Sequence, residues 1–442
     1  MSALWIGASA SSASAAPSGP APLHADSSAE LLAALGTVSA GQRIELAAGD
    51  YAIDRPLVVP DGATLAGAGD MLFDSDGRPT GFAPGSATTL HVAVAFEGDV
   101  LTLGNGSRLE RLRVLDLETP PSALAHRHGN VVSVASRTPG DVIAASIVEC
   151  EIASPNDAGF TNEGPISHGV AVQTRNPGLG APPDPHADAR ISVDLRRSIV
   201  RMHTGAAIFA INFAPRGRIE AVLEGNRFDG YLIASGGTNR PDPVRDAVVV
   251  IESRRNLYRR TGLDWFGWHL VGAGTSPHIP ELSGQGAARN QLRMNSVDDR
   301  IEAFKVGVQA AAARRLGAVS EPLNDNHVEL EMRGTRIITA GAGAADLILR
   351  GTVSQIEQEQ GPADFPAGNR NVLRVEFNGV RGSGARSNIY ADVVGPSGPD
   401  SSGTGNRLEF DGNREAFLES NRDLDPSPPG RFFGSESESR RE

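Results

Sequence analysis

The sequence predicts an all-β chain: one single-stranded right-handed parallel β-helix, a solenoid closed near its N-terminus by a short capping helix. Three observations lead there. Segments of two-residue hydrophobic alternation recur along the chain, whereas long amphipathic helical periods are hard to find. The 51 glycines and 29 prolines supply many turns. A strand–turn–strand unit also recurs, its turn marked by Ser198, Asn226, Asn256, Asn295, Thr335, Asn378 and Asn413, at intervals of 28, 30, 39, 40, 43 and 35 residues. Coils of fixed cross-section that differ in loop length give such spacing. Each added coil extends the same core, so 442 residues fit one solenoid.

Taken in order, residues 1–25 are rich in Ala, Ser and Pro and read as a disordered leader or a signal remnant. A short apolar run, Leu4-Trp5-Ile6, precedes Ala13-Ser14-Ala15, placed like a cleavage site, although no basic residue comes first. The protein is accordingly expected to be secreted or periplasmic. Ser27 to Leu35 reads as the capping helix, with Ser27 or Ser28 as N-cap and Glu30 in its first turn. Alternating segments follow at 41–46, 49–51 and 57–59, then at Ala63–Gly69, Leu101–Gly104 and Leu109–Val114. The β-helix is expected over 26–422 and a disordered, charged and prolyl tail over 423–442.

The segments Gly49-Asp50-Tyr51, Leu57-Val58-Val59 and Thr64-Leu65-Ala66-Gly67-Ala68-Gly69 resemble the opening of the pectin-lyase-like β-helix superfamily. There, G-x-Y, L-x-V and T-L-x-G-x-G lay down the first coils. The resemblance implies the fold and is nearly silent on activity.

The strands after each turn align in columns. One reads His168, Ala206, Tyr231, Trp268, Phe304, Ala345; two positions on, another reads Val170, Ile208, Ile233, Leu270, Val306, Leu347. Residues two apart share a strand face, so both columns are expected to point inward and stack. The column between them then points outward: Gly169, Ala207, Leu232, His269, Lys305, Asp346. Adjacent parallel strands lie ~4.8 Å apart, which places His269, Lys305 and Asp346 in one contiguous row.

Composition narrows the partners. A net charge of −12 argues against nucleic acid, which wants a basic stripe. It would also repel acidic polysaccharides unless metal ions or a local arginine cluster intervened. No stretch reaches the ~18 apolar residues that span a bilayer. Cys150, the single cysteine, sits in an alternating strand and reads as a small core residue. Lys305 is the sole lysine among 41 basic residues.

Two functions stay open. The first is a carbohydrate-active enzyme, most concretely a polysaccharide lyase acting by β-elimination on an acidic glycan. A base within reach of the substrate and a partner that tunes it are what proton abstraction needs, and the row supplies an imidazole, an amine and a carboxylate. The resemblance implies Lys305 or His269 as base, with Asp298, Asp299 and Asp346 holding calcium or tuning it, and Arg300 on the substrate carboxylate. Trp265, in the turn before Trp268, is a candidate to stack on a sugar ring, whereas Trp268 and Tyr231 fall in an inward column. The second is a non-catalytic β-helix that binds a glycan or a surface partner through its polar loops at 174–188, 236–245, 272–288 and 313–324. Solubility alone also asks for charges on the outside of a solenoid. Ser167-His168-Gly169 is similar to the Gly-His-Gly of polygalacturonase-type hydrolases. The paired aspartates Asp298–Asp299 fall downstream of it, and Arg300-Ile301-Glu302 replaces the expected Arg-Ile-Lys, so that assignment is rejected.

Overall fold

The computed structural model describes residues 20–411 except 95, 97, 117–128, 155–167, 175–186, 203–204, 239–243, 261–265, 275–286, 317–322, 356–367 and 393–404. Three parallel sheets run along one axis, and the chain visits first, second and third sheet in turn as a right-handed β-helix. The first sheet begins at Leu23–Ala25 and ends at Arg407–Asp411, the second runs from Gly49–Ile53 to Arg336–Ile338, and the third from Leu57–Val59 to Arg386–Asp392. Among the described residues one antiparallel hairpin, Met71–Phe73 with Pro79–Phe82, leaves the solenoid and packs against Ile199–Met202 of the second sheet.

The N-terminal boundary differs from the sequence expectation. Leu23–Ala25 are the first strand, paired in parallel with Arg43–Leu46, because Ala25 buries its side chain in the core. The capping helix spans Ser28–Thr37. Ser27 Oγ accepts from the Glu30 N–H at 3.3 Å, one of the helix's otherwise orphaned donors, and Glu30 Oε2 reaches back to the N–H of Asp26, just before the cap, at 2.7 Å. Leu31 and Ala34 close the end of the core.

Inside, side chains pile up coil upon coil. The third sheet stacks Val132, Val170, Ile208, Leu232, Trp268, Val308 and Leu347, all fully buried. The second stacks Leu90, Val114, Ile152, Val200, Phe228, Tyr258, Ile301 and Ile337. No coil has such a core without its neighbours, so burial at ~25 cal/mol per Å² acts between coils.

This file corrects the sequence alignment. Val170, Ile208 and Leu347 do share it, but Leu232 stands where Ile233 was expected, Trp268 where Leu270 was, and Val308 where Val306 was. The one-residue slip turns Ile233 outward, since strand faces alternate, whereas Tyr231, just before the strand, stays half-buried against the core. The two-residue slips keep their faces but move residues along the axis of the strand.

The bend between first and second sheets is held by a polar ladder. The Cys150 N–H donates to Ser198 Oγ (3.0 Å), the Ser198 N–H to Asn226 Oδ1 (2.9 Å), the Asn226 N–H to Asn256 Oδ1 (2.8 Å) and the Asn256 N–H to Asp299 Oδ1 (2.7 Å). Each ladder residue follows one in the left-handed region: Glu149, Arg197, Gly225, Arg255 and Asp298 have φ of 55°, 50°, 63°, 55° and 55°. That conformation costs a non-glycine residue ~1–2 kcal/mol, which the buried hydrogen bonds offset. Asn295, expected at this turn, instead lies within the strand Gln291–Val297, and Asp299 takes the ladder position. Asn378 ends the strand Val372–Asn378, and Asn413 lies outside the described residues.

A second ladder enters the first sheet from the third. The N–H groups of Ala247, Asn290, Asn326 and Asn371 donate to the side-chain oxygens of Asn290, Asn326, Asn371 and Asn406, at 2.9–3.1 Å. One residue outside it, the corner alternates Asp188, Arg216, Asp246, Arg289, Asp325 and Arg370, all in the left-handed region. Arg216 grips Asp188, Arg289 grips Asp246 and Arg370 grips Asp325, each through two parallel bonds of 2.6–2.8 Å. Burial, meanwhile, makes Cys150 what the sequence suggested, a core residue, and pushes its thiol up to about 12.

Candidate functional site

The expected row of His269, Lys305 and Asp346 is not a row. Pairing sets Gln309 and then Ile348 beside His269. Lys305 precedes Gln309 by four residues, which displaces it ~13 Å along the strand direction. Asp346 stands level with Gly307, two residues before Ile348, because Val308 pairs with Leu347. It is also buried, 1% exposed, and accepts hydrogen bonds from Thr339 Oγ1 (2.8 Å) and Ser383 Oγ (2.6 Å). These hydroxyls tie down the turn before the third-sheet strand. Asp346 is thereby committed to the fold.

The proposed metal residues also part company. Asp298 is exposed at the bend, whereas Asp299 is 1% exposed and holds the Asn256 N–H and the Ser296 hydroxyl (2.7 Å each). Burial pushes its carboxyl up to about 6, against the pull of hydrogen bonds from Ser253, Asn256 and Ser296. A calcium site wants several ionised, converging oxygens. This pair does not fit one, and among the described residues no cluster of three or more His, Cys, Asp or Glu has metal-binding geometry. Arg300 pairs with Glu302 on its own strand. Trp265 lies outside the described residues, as do residues 175–186 of the loop at 174–188.

What the third sheet does present is an apolar outer stripe. Its strands Ile208–Ile211, Leu232–Thr238 and Phe266–Gly274 carry Phe209, Ile233 and His269 in register on the outer face. All three are partly exposed. The His168 ring stacks on Phe209, centroids 3.9 Å apart and 12° from parallel, so His168 faces outward, not inward as the columns suggested. Phe213 stands 6.4 Å beyond Phe209, and Phe266 lies 5.3 Å from His269. His168 Nδ1 accepts the Ala206 N–H at 3.1 Å, which leaves the ring proton on Nε2. Desolvation holds this imidazole down to about 3, so it is neutral at ordinary pH. The platform spans three adjacent strands, ~10 Å across the sheet. It offers flat π faces, the His168 ring among them uncharged.

Trp268 and Tyr258 lie beneath it in the core, edge to face at 5.3 Å. Narrow glycine positions let the coils close there. A Cβ on Gly267 would approach the Gly307 oxygen to 2.6 Å, and one on Gly307 the Asp346 oxygen to 2.7 Å.

No family model matches this chain, and no curated protein does. Solved structures give remote likenesses. The Dettilon tailspike protein aligns at 8% identity and a TM-score of 0.35, over 87% of this chain and 64% of its own length, so this chain spans less than two thirds of it. The Streptococcus pneumoniae surface protein and adhesin PfbA aligns at 8% identity and 0.35, over 87% and 95%. The catalytic unit of a GH87 alpha-1,3-glucanase from Streptomyces thermodiastaticus aligns at 15% and 0.32, over 91% and 70%. No helix among the described residues is long and apolar enough to cross a membrane.

Proposed function

We propose that the protein is a glycan-binding β-helix module whose binding surface is the outer face of the third sheet. The observation that carries this is the stacked, partly exposed His168–Phe209 pair, continued by Ile233, His269 and Phe266 over adjacent strands. The C–H faces of a sugar ring pack on such π faces while its hydroxyls stay in water. The phenylalanine rings and the neutral His168 imidazole suit the task because they attract no counter-ion. Screening the protein against a panel of neutral and acidic polysaccharides tests the reading. Phe209→Ala should weaken the best binder about tenfold, the ~1.4 kcal/mol of one lost stacking contact. Unchanged affinity would remove the platform from the argument.

The lyase reading has one feature left in its favour: Lys305, the single amine, immediately precedes the third-sheet strand Val306–Leu316. Unsaturated sugar products formed by the wild type and lost in Lys305→Ala would replace the binding reading with β-elimination.

A further inference from the structure

The second sheet carries charge of the opposite sign to the whole molecule. Its inward residues Val200, Phe228, Tyr258, Ile301 and Ile337 are buried, so their strand neighbours face out. One outer column reads Ile199, Arg227, Leu257, Arg300, Arg336 and Arg381; the other reads Arg201, Asp229, Arg259, Glu302 and Ile338. That is six arginines against two carboxylates, a local excess of +4 in a chain of −12.

The carboxylates are spent on a subset of them. Asp229 is shared by Arg201 (3.2 Å) and Arg227 (2.9 Å), and Glu302 pairs with Arg300. Arg259, Arg336 and Arg381 are exposed, with no carboxylate partner among the described residues. Arg300 and Arg336 stand on successive strands, and Arg381 forms a parallel bridge to Arg336 one winding on, ~4.8 Å steps at which like charges repel. Solubility does not ask for this, since acids would serve a net-negative chain as well. The hairpin 71–82 packs on Ile199–Met202, and the arginine field begins at that edge and continues toward the C-terminal coils.

We infer that this face binds an acidic polysaccharide, its carboxylates running along the solenoid axis over Arg259, Arg336 and Arg381. Arg336 and Arg381 continue the Arg300 file at the strand spacing, with Arg259 flanking it in the other outer column, an array of cations along the axis that suits a polymer with regularly repeated anions. Guanidinium forks hold carboxylates through paired hydrogen bonds. The local field lets a polyanion approach a molecule that would otherwise repel it. This surface lies on a different sheet from the aromatic platform and does not depend on it.

Polygalacturonate is the probe, titrated into the full chain at several salt concentrations, with a single-stranded oligonucleotide as a second polyanion. The triple variant Arg259→Glu, Arg336→Glu, Arg381→Glu should lose at least tenfold in affinity for polygalacturonate and show a shallower salt dependence. Arg336→Gln alone, which leaves the fold the less perturbed, should lose a few-fold. Wild-type affinity in both arginine variants would overturn the inference, as would oligonucleotide binding tighter than polygalacturonate through the same arginines.

Discussion

Replacing Asp299 by asparagine should stabilise the protein at neutral pH and leave it unchanged in acid. The carboxyl occupies a ladder position held by asparagine in the two preceding coils, Asn226 and Asn256. Around it the apolar file of the first sheet is interrupted: Leu195 and Leu223 give way to Ser253 and Ser296, both fully buried. Ser253 meets the Tyr258 hydroxyl at 3.0 Å, and Ser296 meets Thr335 Oγ1 at 2.7 Å. Burial raises the Asp299 pKa to about 6, from an unfolded value of about 3.9. A raised folded pKa means the folded state holds its proton more tightly. The stabilisation is therefore complete below pH ~4 and is lost as pH rises through about 6. Two pK units at ~1.36 kcal/mol each give a loss of ~3 kcal/mol above that window. Asparagine cannot ionise. It keeps the oxygen that accepts the Asn256 N–H, and by ladder geometry its amide faces the Ser253 carbonyl, as Asn256 faces Leu223. A cooperative unit of about 400 residues has an unfolding entropy of roughly 0.8 kcal/mol/K, so Asp299→Asn should raise the Tm at pH ~8 by about 3–4 °C. Scanning both proteins by circular dichroism from acid to mild alkali isolates the difference, because other titrations are common to both. A gap that stays constant with pH, or an asparagine variant less stable at pH ~8, would refute the reasoning.

Two more outcomes follow from the same interior. Asn326→Ala removes the oxygen that accepts the Asn290 N–H, leaving a buried donor unmatched, and should cost ~2–3 kcal/mol in urea denaturation; a loss below ~0.5 kcal/mol would mean that the ladder does not hold the bend. The Cys150 thiol, buried and with its pKa pushed up to about 12, should resist a disulfide reagent in the native state and react only on unfolding, which makes it a probe of opening. Rapid labelling of the folded protein would contradict the burial.

Much of the solenoid was readable from alternation and recurrence, since stacked coils repeat both. Ser27 and Glu30 announced the cap, and Ser198, Asn226 and Asn256 announced one ladder. The active row was not readable. Runs such as Ile208-Phe209-Ala210-Ile211 and Leu232-Ile233-Ala234 are apolar on both faces, so alternation does not orient them, and a slip of one or two residues passes unnoticed. His269 and Lys305 seemed neighbours only because two such slips, opposite in sense, add up to four residues. Better signals were present in Gly267 and Gly307, which coil closure aligns with each other, and in the second asparagine series, Asn290, Asn326, Asn371 and Asn406. The series was hidden because its members follow the variable loops, where spacing is least regular. Asp299 was hidden by chemistry: a carboxylate beside another aspartate looks like a ligand pair, yet here it stands in for an amide.

The alternating corner from Asp188 to Arg370 gives the solenoid a parity. Each aspartate is matched to an arginine one winding away, so acidic and basic windings take turns. Excising one winding, for instance the one that bears Asp246, would set Arg216 against Arg289, whereas excising two would restore opposite signs at the seam. Changes in length by whole pairs of windings are therefore the ones this edge tolerates, and an evolutionary or engineered series of longer and shorter forms should move in steps of two.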